Sequence, residues 1–107
     1  MNLRRHQRFP VRLQSVVTGP TSGDSTGLTV NLSKQGCLIE TASQVDPGTA
    51  VTLRINVPDE AAPIHIARAV IQWNLVGNAG VSFITVAPSE QARLDQLLER
   101  MNQDQQA

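Results

Sequence analysis

Aromatic residues are scarce in this chain, which has two Phe, one Trp and no Tyr among 107 residues. Lysine is scarcer still, because Lys34 is the single lysine among nine basic residues. Barrels that bind RNA or single-stranded DNA combine a basic groove with exposed aromatic side chains on which the bases stack. The composition therefore argues against nucleic acid as the partner, and the core must be built from Val, Ile, Leu and Ala.

Cysteine and long apolar runs are also lacking. Cys37 has no second cysteine with which to form an internal disulfide, which favours a reducing cytoplasm. No apolar run approaches the roughly 20 residues that a membrane-spanning helix needs. No apolar stretch follows the basic N-terminus as it would in a secretory signal. We therefore expect a cytoplasmic protein of one domain, without a membrane span.

The residues that most enzymes use are few and isolated. His6 and His65 are the only histidines, and no acidic residue adjoins either of them in the sequence. Cys37 lies in an apolar segment, where a buried and inert thiol is expected rather than a nucleophile. The chain contains no HExxH, no paired CxxC and no GxxxxGK sequence. We predict that the protein is not an enzyme and holds neither a metal nor a cofactor.

The charges are distributed unevenly, although the net charge is zero. The first 20 residues contain four arginines and no acid, and the rest contains nine acids against five basic residues, so the two parts carry +4 and −4. A local arginine cluster on a neutral body indicates one compact anionic partner. The planar guanidinium fork suits bidentate binding of phosphate or guanine. The four arginines are Arg4, Arg5, Arg8 and Arg12.

From Val11 onward, short apolar runs are separated by Gly, Pro, Ser and Asp, which is typical of strands joined by turns. The clearest run is Val51–Val57, in which apolar and polar residues alternate as in a strand with one buried face. Pro20–Thr26 is predicted to be a loop. The predicted strands are Leu13–Thr18, Leu28–Leu32, Cys37–Thr41, Val51–Val57, Ile64–Trp73 and Gly80–Ile84.

After Ser89, which can serve as an N-cap, apolar residues recur at the spacing of an amphipathic helix. Six short strands followed by one helix predict a mainly β fold. We expect a small antiparallel six-stranded β-barrel, split or Greek-key-like, with a C-terminal α-helix. We place a flexible ligand-binding arm at residues 1–9, the barrel domain with its helix at 10–103, and a frayed tail at 104–107.

Two segments stand out from this β pattern. The first has an Arg-x-x-x-Arg spacing at Arg4 and Arg8, and the second, Asn31–Gly36, reads Asn-x-Ser-x-x-Gly at the end of a strand. In this order they resemble the two motifs of the PilZ family of cyclic di-GMP receptors. Arg68–Trp73 and Ala79–Phe83 are similar to the late strand pair of that family. With the closing helix, the resemblance covers nearly the whole chain.

The resemblance implies a set of ligand contacts. Arg4 and Arg8 would bind guanine and phosphate groups of cyclic di-GMP, since a guanidinium matches O6 and N7 of guanine bidentately. Asn31 would contact a polar edge of a base, and Ser33 would donate its hydroxyl to a phosphate or a base. Gly36 would let the backbone pass close to the ligand or would adopt a positive φ.

The sequence departs from the family pattern in two places. Asn31 stands where many members have Asp, and a neutral amide accepts hydrogen bonds more weakly than a carboxylate, so a lower affinity is expected. Leu3 stands before the first motif arginine, where members with a further basic residue tend to bind a stacked ligand dimer, so the number of ligands stays open. Arg5 is a candidate ligand residue that could compensate for the missing basic residue, although it is out of register with the motif. We expect Trp73 in the core and Arg12 on the surface, outside the site.

These features predict a receptor or adaptor that binds cyclic di-GMP, changes conformation and signals to an unidentified effector protein. Ligand binding would order the arm across the barrel near Asn31–Gly36. Two alternatives stay open. The first is a ligand-blind PilZ-like protein-interaction adaptor, and the second, less favoured by the composition, is an RNA- or single-strand-binding barrel.

Overall fold

The computed structural model of the chain describes residues 7–20, 23–41 and 45–106. Six strands and one helix occur in these residues: β1 (Phe9–Gly19), β2 (Gly23–Leu32), β3 (Gly36–Glu40), β4 (Ala50–Ile55), β5 (Ile64–Leu75), β6 (Asn78–Thr85) and α1 (Pro88–Gln106). All neighbouring strands are antiparallel and form one closed barrel in the order β1-β2-β3-β6-β5-β4. The predicted six-stranded antiparallel barrel with a C-terminal helix is confirmed.

Alternation of apolar and polar residues builds the barrel interior. In β4, Val51, Leu53 and Ile55 are buried, while Thr52 and Arg54 between them are half-buried on the outer face. Each fully buried aliphatic side chain stabilises the fold by about 1.5–3 kcal/mol relative to an exposed one. Because aromatics are few, aliphatic residues fill the interior. Those with no exposed surface are Leu32, Leu53, Ile55, Ile64, Ile66, Ala69 and Leu94.

The helix α1 packs its apolar face against the barrel. Leu94, Leu97 and Leu98 are buried in the same core as the strands, as their spacing predicts. Arg93 holds the adjoining face in place, because it forms an ion pair with Glu60 at 2.6 Å and also donates to backbone carbonyls of the β4–β5 loop. No helix in the described ranges has the length and apolar character needed to cross a bilayer.

Several element boundaries differ from those expected. The β1–β2 hairpin continues to the pair Gly19 and Gly23, so most of the predicted loop Pro20–Thr26 is strand. This extension is stabilised by polar contacts, such as that of Thr18 with Asp24 at 2.6 Å, and therefore lacks the apolar alternation that marks a strand. At the other end, β1 begins at Phe9, which is buried in the core, and α1 continues to Gln106.

Candidate functional site

The end of the predicted arm lies beside the strand-end motif. In the register of β1 and β2, Phe9 pairs with Leu32 and Pro10 pairs with Asn31. This pairing brings Arg8, which directly precedes β1, next to Asn31. The Nη1 of Arg8 donates a hydrogen bond to Oδ1 of Asn31 at 3.1 Å. The structure therefore joins one residue from each of the two motifs on the surface of the barrel.

The guanidinium of Arg8 is exposed and is free of acidic partners among the described residues. Its contact with Asn31 uses one of five N–H groups, so the others remain able to donate to an anion or to a base edge. Arg12 is also exposed, as expected for a surface residue, and its place outside the site stays a prediction. Arg4 and Arg5 lie outside the described residues.

Ser33 stabilises the turn that follows β2. Its side chain is buried, its backbone N donates to the carbonyl of Gly36 at 2.9 Å, and its Oγ donates to the same carbonyl at 3.3 Å. The same Oγ accepts a hydrogen bond from the backbone N of Gln35 at 3.3 Å. The hydroxyl is therefore engaged within the turn, while Lys34 and Gln35 are exposed at its tip.

Gly36 is required by packing against β6. A Cβ atom at this position would collide with the backbone carbonyl oxygen of Val81, and the carbonyl of Gln35 accepts a hydrogen bond from the N of Phe83 at 2.8 Å. Its φ is not positive, so the suggested positive-φ role is wrong; the described glycines with positive φ are Gly23, Gly48 and Gly77. The close approach permitted by Gly36 is that of β3 to β6.

A cleft of about 410 Å³ opens between the turn, the last residues of the arm and α1. Gln7 and Lys34 line one side of it, and Asp95 and Glu99 of α1 line the other. The cleft therefore has one cation, Lys34, on the side of the turn and two carboxylates on the side of the helix.

Trp73 is exposed rather than buried, which corrects the expectation that it belongs to the core: 42% of its surface is accessible. The cause is an irregularity in β5. Ile71 pairs with Val81, but Trp73 pairs with Gly80, so two residues of β5 oppose one of β6 and the inward alternation is reversed. The indole lies directly over Gly80, which has no side chain to displace it.

This irregularity places Trp73 on the same outer face as the motif asparagine. Asn31 pairs with Leu38, Leu38 pairs with Gly80, and Gly80 pairs with Trp73. At roughly 4.8 Å between neighbouring strands, three spacings separate Asn31 from Trp73 by about 14 Å. The sequence contained one signal for this arrangement, a glycine in the strand that follows the tryptophan. Period-two alternation from the buried Ile71, however, predicted that Trp73 would face inward.

Cys37 lies beneath the site and is buried, as the sequence predicted. It is almost completely buried, and burial raises the pKa of its thiol to about 12, while the charge of Arg8 and a hydrogen bond with Thr29 offset part of this effect. A thiol with such a pKa is protonated at neutral pH, and the thiolate is the nucleophilic form. Among the described residues, no group of His, Cys, Asp or Glu side chains could hold a metal ion.

The family model described as the PilZ domain matches residues 2–100. No curated protein sequence is significantly similar to the chain. Several solved structures share its fold.

Inhibitor of motility (MotI/DgrA) from Bacillus subtilis superposes with a TM-score of 0.80 at 19% identity, over 100% of this chain and 55% of that one. The chain thus spans little more than half the length of that relative. The PilZ domain with c-di-GMP of YcgR from Escherichia coli gives 0.76 at 12% identity, over 96% and 94% of the two chains. The PilZ domain of CeSA from a cellulose synthesizing bacterium gives 0.72 at 18% identity, over 90% and 98%.

Proposed function

Because the chain belongs to the PilZ domain family, we propose that it is a non-enzymatic receptor for cyclic di-GMP that changes conformation on binding and signals to a partner protein. The observation that carries the proposal is the hydrogen bond between Arg8 and Asn31, since it joins the two motifs at one surface. The structural relative from Escherichia coli, whose PilZ domain was solved with c-di-GMP, supports the same ligand.

In this proposal the arginines of the arm bind the ligand. Arg8 would retain Asn31 as a neighbour and direct its remaining N–H groups to O6 and N7 of a guanine or to a phosphate. Arg4, four residues earlier, would supply the second guanidinium, and Arg5 would add positive charge beside the phosphates. Charge-assisted hydrogen bonds of this kind are roughly twice as strong as neutral ones.

The turn after β2 forms the base of the proposed site. Asn31 would present its amide to the polar edge of a guanine. Ser33 would contribute to ligand binding in one of two ways, by holding the turn in its present shape or by redirecting its hydroxyl from the Gly36 carbonyl to the ligand. Gly36 would contribute indirectly, because it lets the turn lie against β6. With the turn in this place, Asn31 faces outward.

Trp73 extends the proposed site along the outer face. An exposed indole in line with Asn31 offers a flat surface on which a purine can stack, for about 1–3 kcal/mol per base. The presence of only one well-exposed aromatic side chain weakens the case for an RNA- or single-strand-binding barrel. Such a barrel needs several stacking surfaces, yet Phe9 is buried and Phe83 packs partly into the core, so only Trp73 is well exposed among the three aromatics.

The proposal assigns the protein to the bacterial cytoplasm, in keeping with its single, unpaired cysteine. The partner protein that would receive the signal is not identified by the ligand site. A ligand-blind adaptor is the alternative, and a measurement of ligand binding distinguishes it from a receptor.

A titration with cyclic di-GMP tests the proposal directly. Calorimetry gives affinity and the number of ligands, and the fluorescence of Trp73, the single tryptophan, reports binding at the outer face. Cyclic di-AMP is the matched control, because it presents an amino group where guanine presents O6. We expect saturable binding of cyclic di-GMP alone. Equal binding of both dinucleotides would contradict guanine recognition, and the absence of heat and of fluorescence change at high protein concentration would favour the adaptor.

A further inference from the structure

The cleft between α1 and the turn after β2 adjoins the proposed site but lies outside the contacts assigned to the two motifs. Gln7 and Phe9, the residues on either side of Arg8, both line this cleft. Arg8 itself reaches the outer surface, where it contacts Asn31. A ligand held by Arg8 would therefore begin at the rim of the cleft. The cleft volume of about 410 Å³ lies within the roughly 300–1,000 Å³ that is usual for small-molecule sites.

The charges on the two walls of the cleft do not pair with each other. Lys34 lines the wall of the turn, and Asp95 and Glu99 line the wall of α1. Neither Lys34 nor Glu99 forms an ion pair with a residue that the structure describes. Asp95 is partly engaged, because its Oδ1 accepts a hydrogen bond from Nε2 of Gln91 at 2.9 Å. The ammonium group of Lys34 and the carboxylate of Glu99 are thus both available to a ligand.

An acceptor and a donor lie side by side on the wall of α1. Glu99 and Asn102 both line the cleft, and a spacing of three residues makes their side chains neighbours on one face of the helix. The carboxylate of Glu99 only accepts hydrogen bonds, whereas the amide of Asn102 can also donate them. Phe9 and Leu98, which are buried in the core, give the cleft an apolar floor. This wall and floor suit a flat ring with hydrogen-bonding groups along one edge.

The Watson–Crick edge of guanine has the complementary pattern. It presents N1–H and the 2-amino group as donors, beside O6 as an acceptor. The donors would form charge-assisted hydrogen bonds with the carboxylate of Glu99, and O6 would accept from the amide of Asn102. Adenine has a lone pair at N1, which a carboxylate would repel. A phosphate on the same nucleotide would face Lys34 on the opposite wall, so the cleft matches a guanosine phosphate in polarity as well as in hydrogen bonding.

We propose that this cleft binds the second guanine of cyclic di-GMP, with Glu99 and Asn102 on its Watson–Crick edge and Lys34 on a phosphate. The first guanine would remain with Arg8 and Asn31. Glu99 is then a specificity-determining residue that belongs to neither motif. The inference rests on the proposed function, because it assigns further residues to the same ligand.

NMR of the isotope-labelled full chain during a titration with cyclic di-GMP locates the second guanine. We expect amide shifts at residues 98–102 of α1 and at Lys34, in addition to those around Arg8. Shifts confined to the outer surface around Arg8 and Asn31 would overturn the inference and leave the receptor intact. A chain that shows no shift at all would contradict the receptor, and the inference would fall with it.

The 2-amino group is tested with cyclic di-IMP, in which hypoxanthine replaces guanine. Hypoxanthine keeps O6, N7 and N1–H and lacks only the amino group, so the contact of Arg8 with the base is preserved. We expect the original chain to bind cyclic di-GMP at least about tenfold more tightly than cyclic di-IMP in calorimetry. Glu99→Gln should weaken the binding of cyclic di-GMP about tenfold and that of cyclic di-IMP much less, so the ratio of the two Kd values should fall.

Asp104→Asn is the matched control for this measurement, since Asp104 is an exposed carboxylate of the same helix that does not line the cleft. We expect it to bind both dinucleotides as the original chain does. An unchanged ratio in Glu99→Gln, or an equal fall in Asp104→Asn, would overturn the inference. A rise in affinity in Glu99→Gln would also overturn it, because the carboxylate would then repel the ligand or hold the cations of the arm.

The phosphate contact is tested at Lys34. Lys34→Met keeps the length of the side chain and removes its charge, so it should weaken cyclic di-GMP binding about fivefold at low salt and less at high salt, where exposed charges are screened. Gln35→Ala is the matched control, because Gln35 is the other exposed residue at the tip of the turn and does not line the cleft. We expect the control to bind as the original chain does. Unchanged binding in Lys34→Met, or an equal loss in Gln35→Ala, would overturn the inference.

Discussion

Arg8 donates a hydrogen bond from Nη1 to Oδ1 of Asn31 at 3.1 Å, although 23 positions separate the two residues in the chain. The antiparallel register of β1 and β2, which pairs Pro10 with Asn31, holds them together. Arg8 therefore meets the turn. In the proposed complex this contact would position one guanidinium for cyclic di-GMP and would reduce the conformational entropy lost on binding.

The first prediction concerns the arm. Arg8→Ala is expected to weaken cyclic di-GMP binding by about 2 kcal/mol or more, because a charged bidentate contact is lost. This corresponds to roughly a thirtyfold rise in Kd. Arg4→Ala should have a similar effect, because Arg4 and Arg8 belong to the same motif. Arg12→Ala is the matched control, since Arg12 is an exposed arginine of the same cluster that belongs to neither motif. If Arg8→Ala and Arg12→Ala bound alike in calorimetry, the arm would not hold the ligand.

The second prediction concerns the amide of Asn31. Asn31→Asp should raise the affinity for cyclic di-GMP about fivefold, because an ionised carboxylate accepts from guanine N1–H and N2–H₂ more strongly than an amide oxygen does. The gain should disappear at pH values low enough to protonate the carboxylate. Calorimetry at neutral and acid pH measures both effects, and Asn78→Asp on β6 controls for a general change of charge. An affinity that is unchanged or lower in Asn31→Asp at neutral pH would contradict a base contact here.

The element order of this fold could be predicted from the sequence, because apolar alternation marks the strands of the barrel and turn residues mark the connections between them. The same rule failed at Trp73, where an extra residue in β5 reverses the alternation, and the one sequence signal of this bulge was the glycine opposite, Gly80. It also failed for the β1–β2 hairpin beyond Thr18, since polar hydrogen bonds rather than burial hold that part together.

The candidate site was predictable only in part. The spacing of Arg8 and Asn31 identified them as members of two motifs, but their contact depends on strand register, which the sequence does not specify. Ser33 was expected to face the ligand, whereas its hydroxyl bonds within the turn, because a buried polar atom must find a partner. Its contact with the ligand stays a prediction.

The third prediction distinguishes two glycines by what surrounds them. Gly36→Ala should destabilise the fold by about 2 kcal/mol or more, since the added methyl group meets the backbone of Val81, which cannot move without disturbing β6. Gly80→Ala meets the side chain of Trp73 instead, and an exposed indole can rotate away. We expect a smaller loss of stability in Gly80→Ala, with a change in Trp73 fluorescence. Urea unfolding measures both, and a larger loss in Gly80→Ala would contradict the assigned contacts.

The fourth prediction is a pH dependence that arises from Cys37. Burial raises the pKa of its thiol to about 12 in the folded protein, above the value of about 8.5 expected when the chain unfolds. Between these values the unfolded chain releases a proton that the folded chain keeps, so the free energy of unfolding falls as pH rises, by up to about 1.4 kcal/mol per pH unit from this group. Below about pH 8 the contribution is fully present.

Urea unfolding at a series of alkaline pH values measures this slope, and the absence of tyrosine removes one other group that titrates in the same range. Cys37→Ala is the control, because it lowers stability at every pH through the cavity it leaves but has no thiol to titrate. The slope should therefore be shallower in Cys37→Ala than in the original chain. Native protein at pH 8 should also resist alkylation by iodoacetamide until urea unfolds it. Parallel pH profiles for the two proteins, or rapid alkylation of the folded one, would show that the thiol is not buried as described.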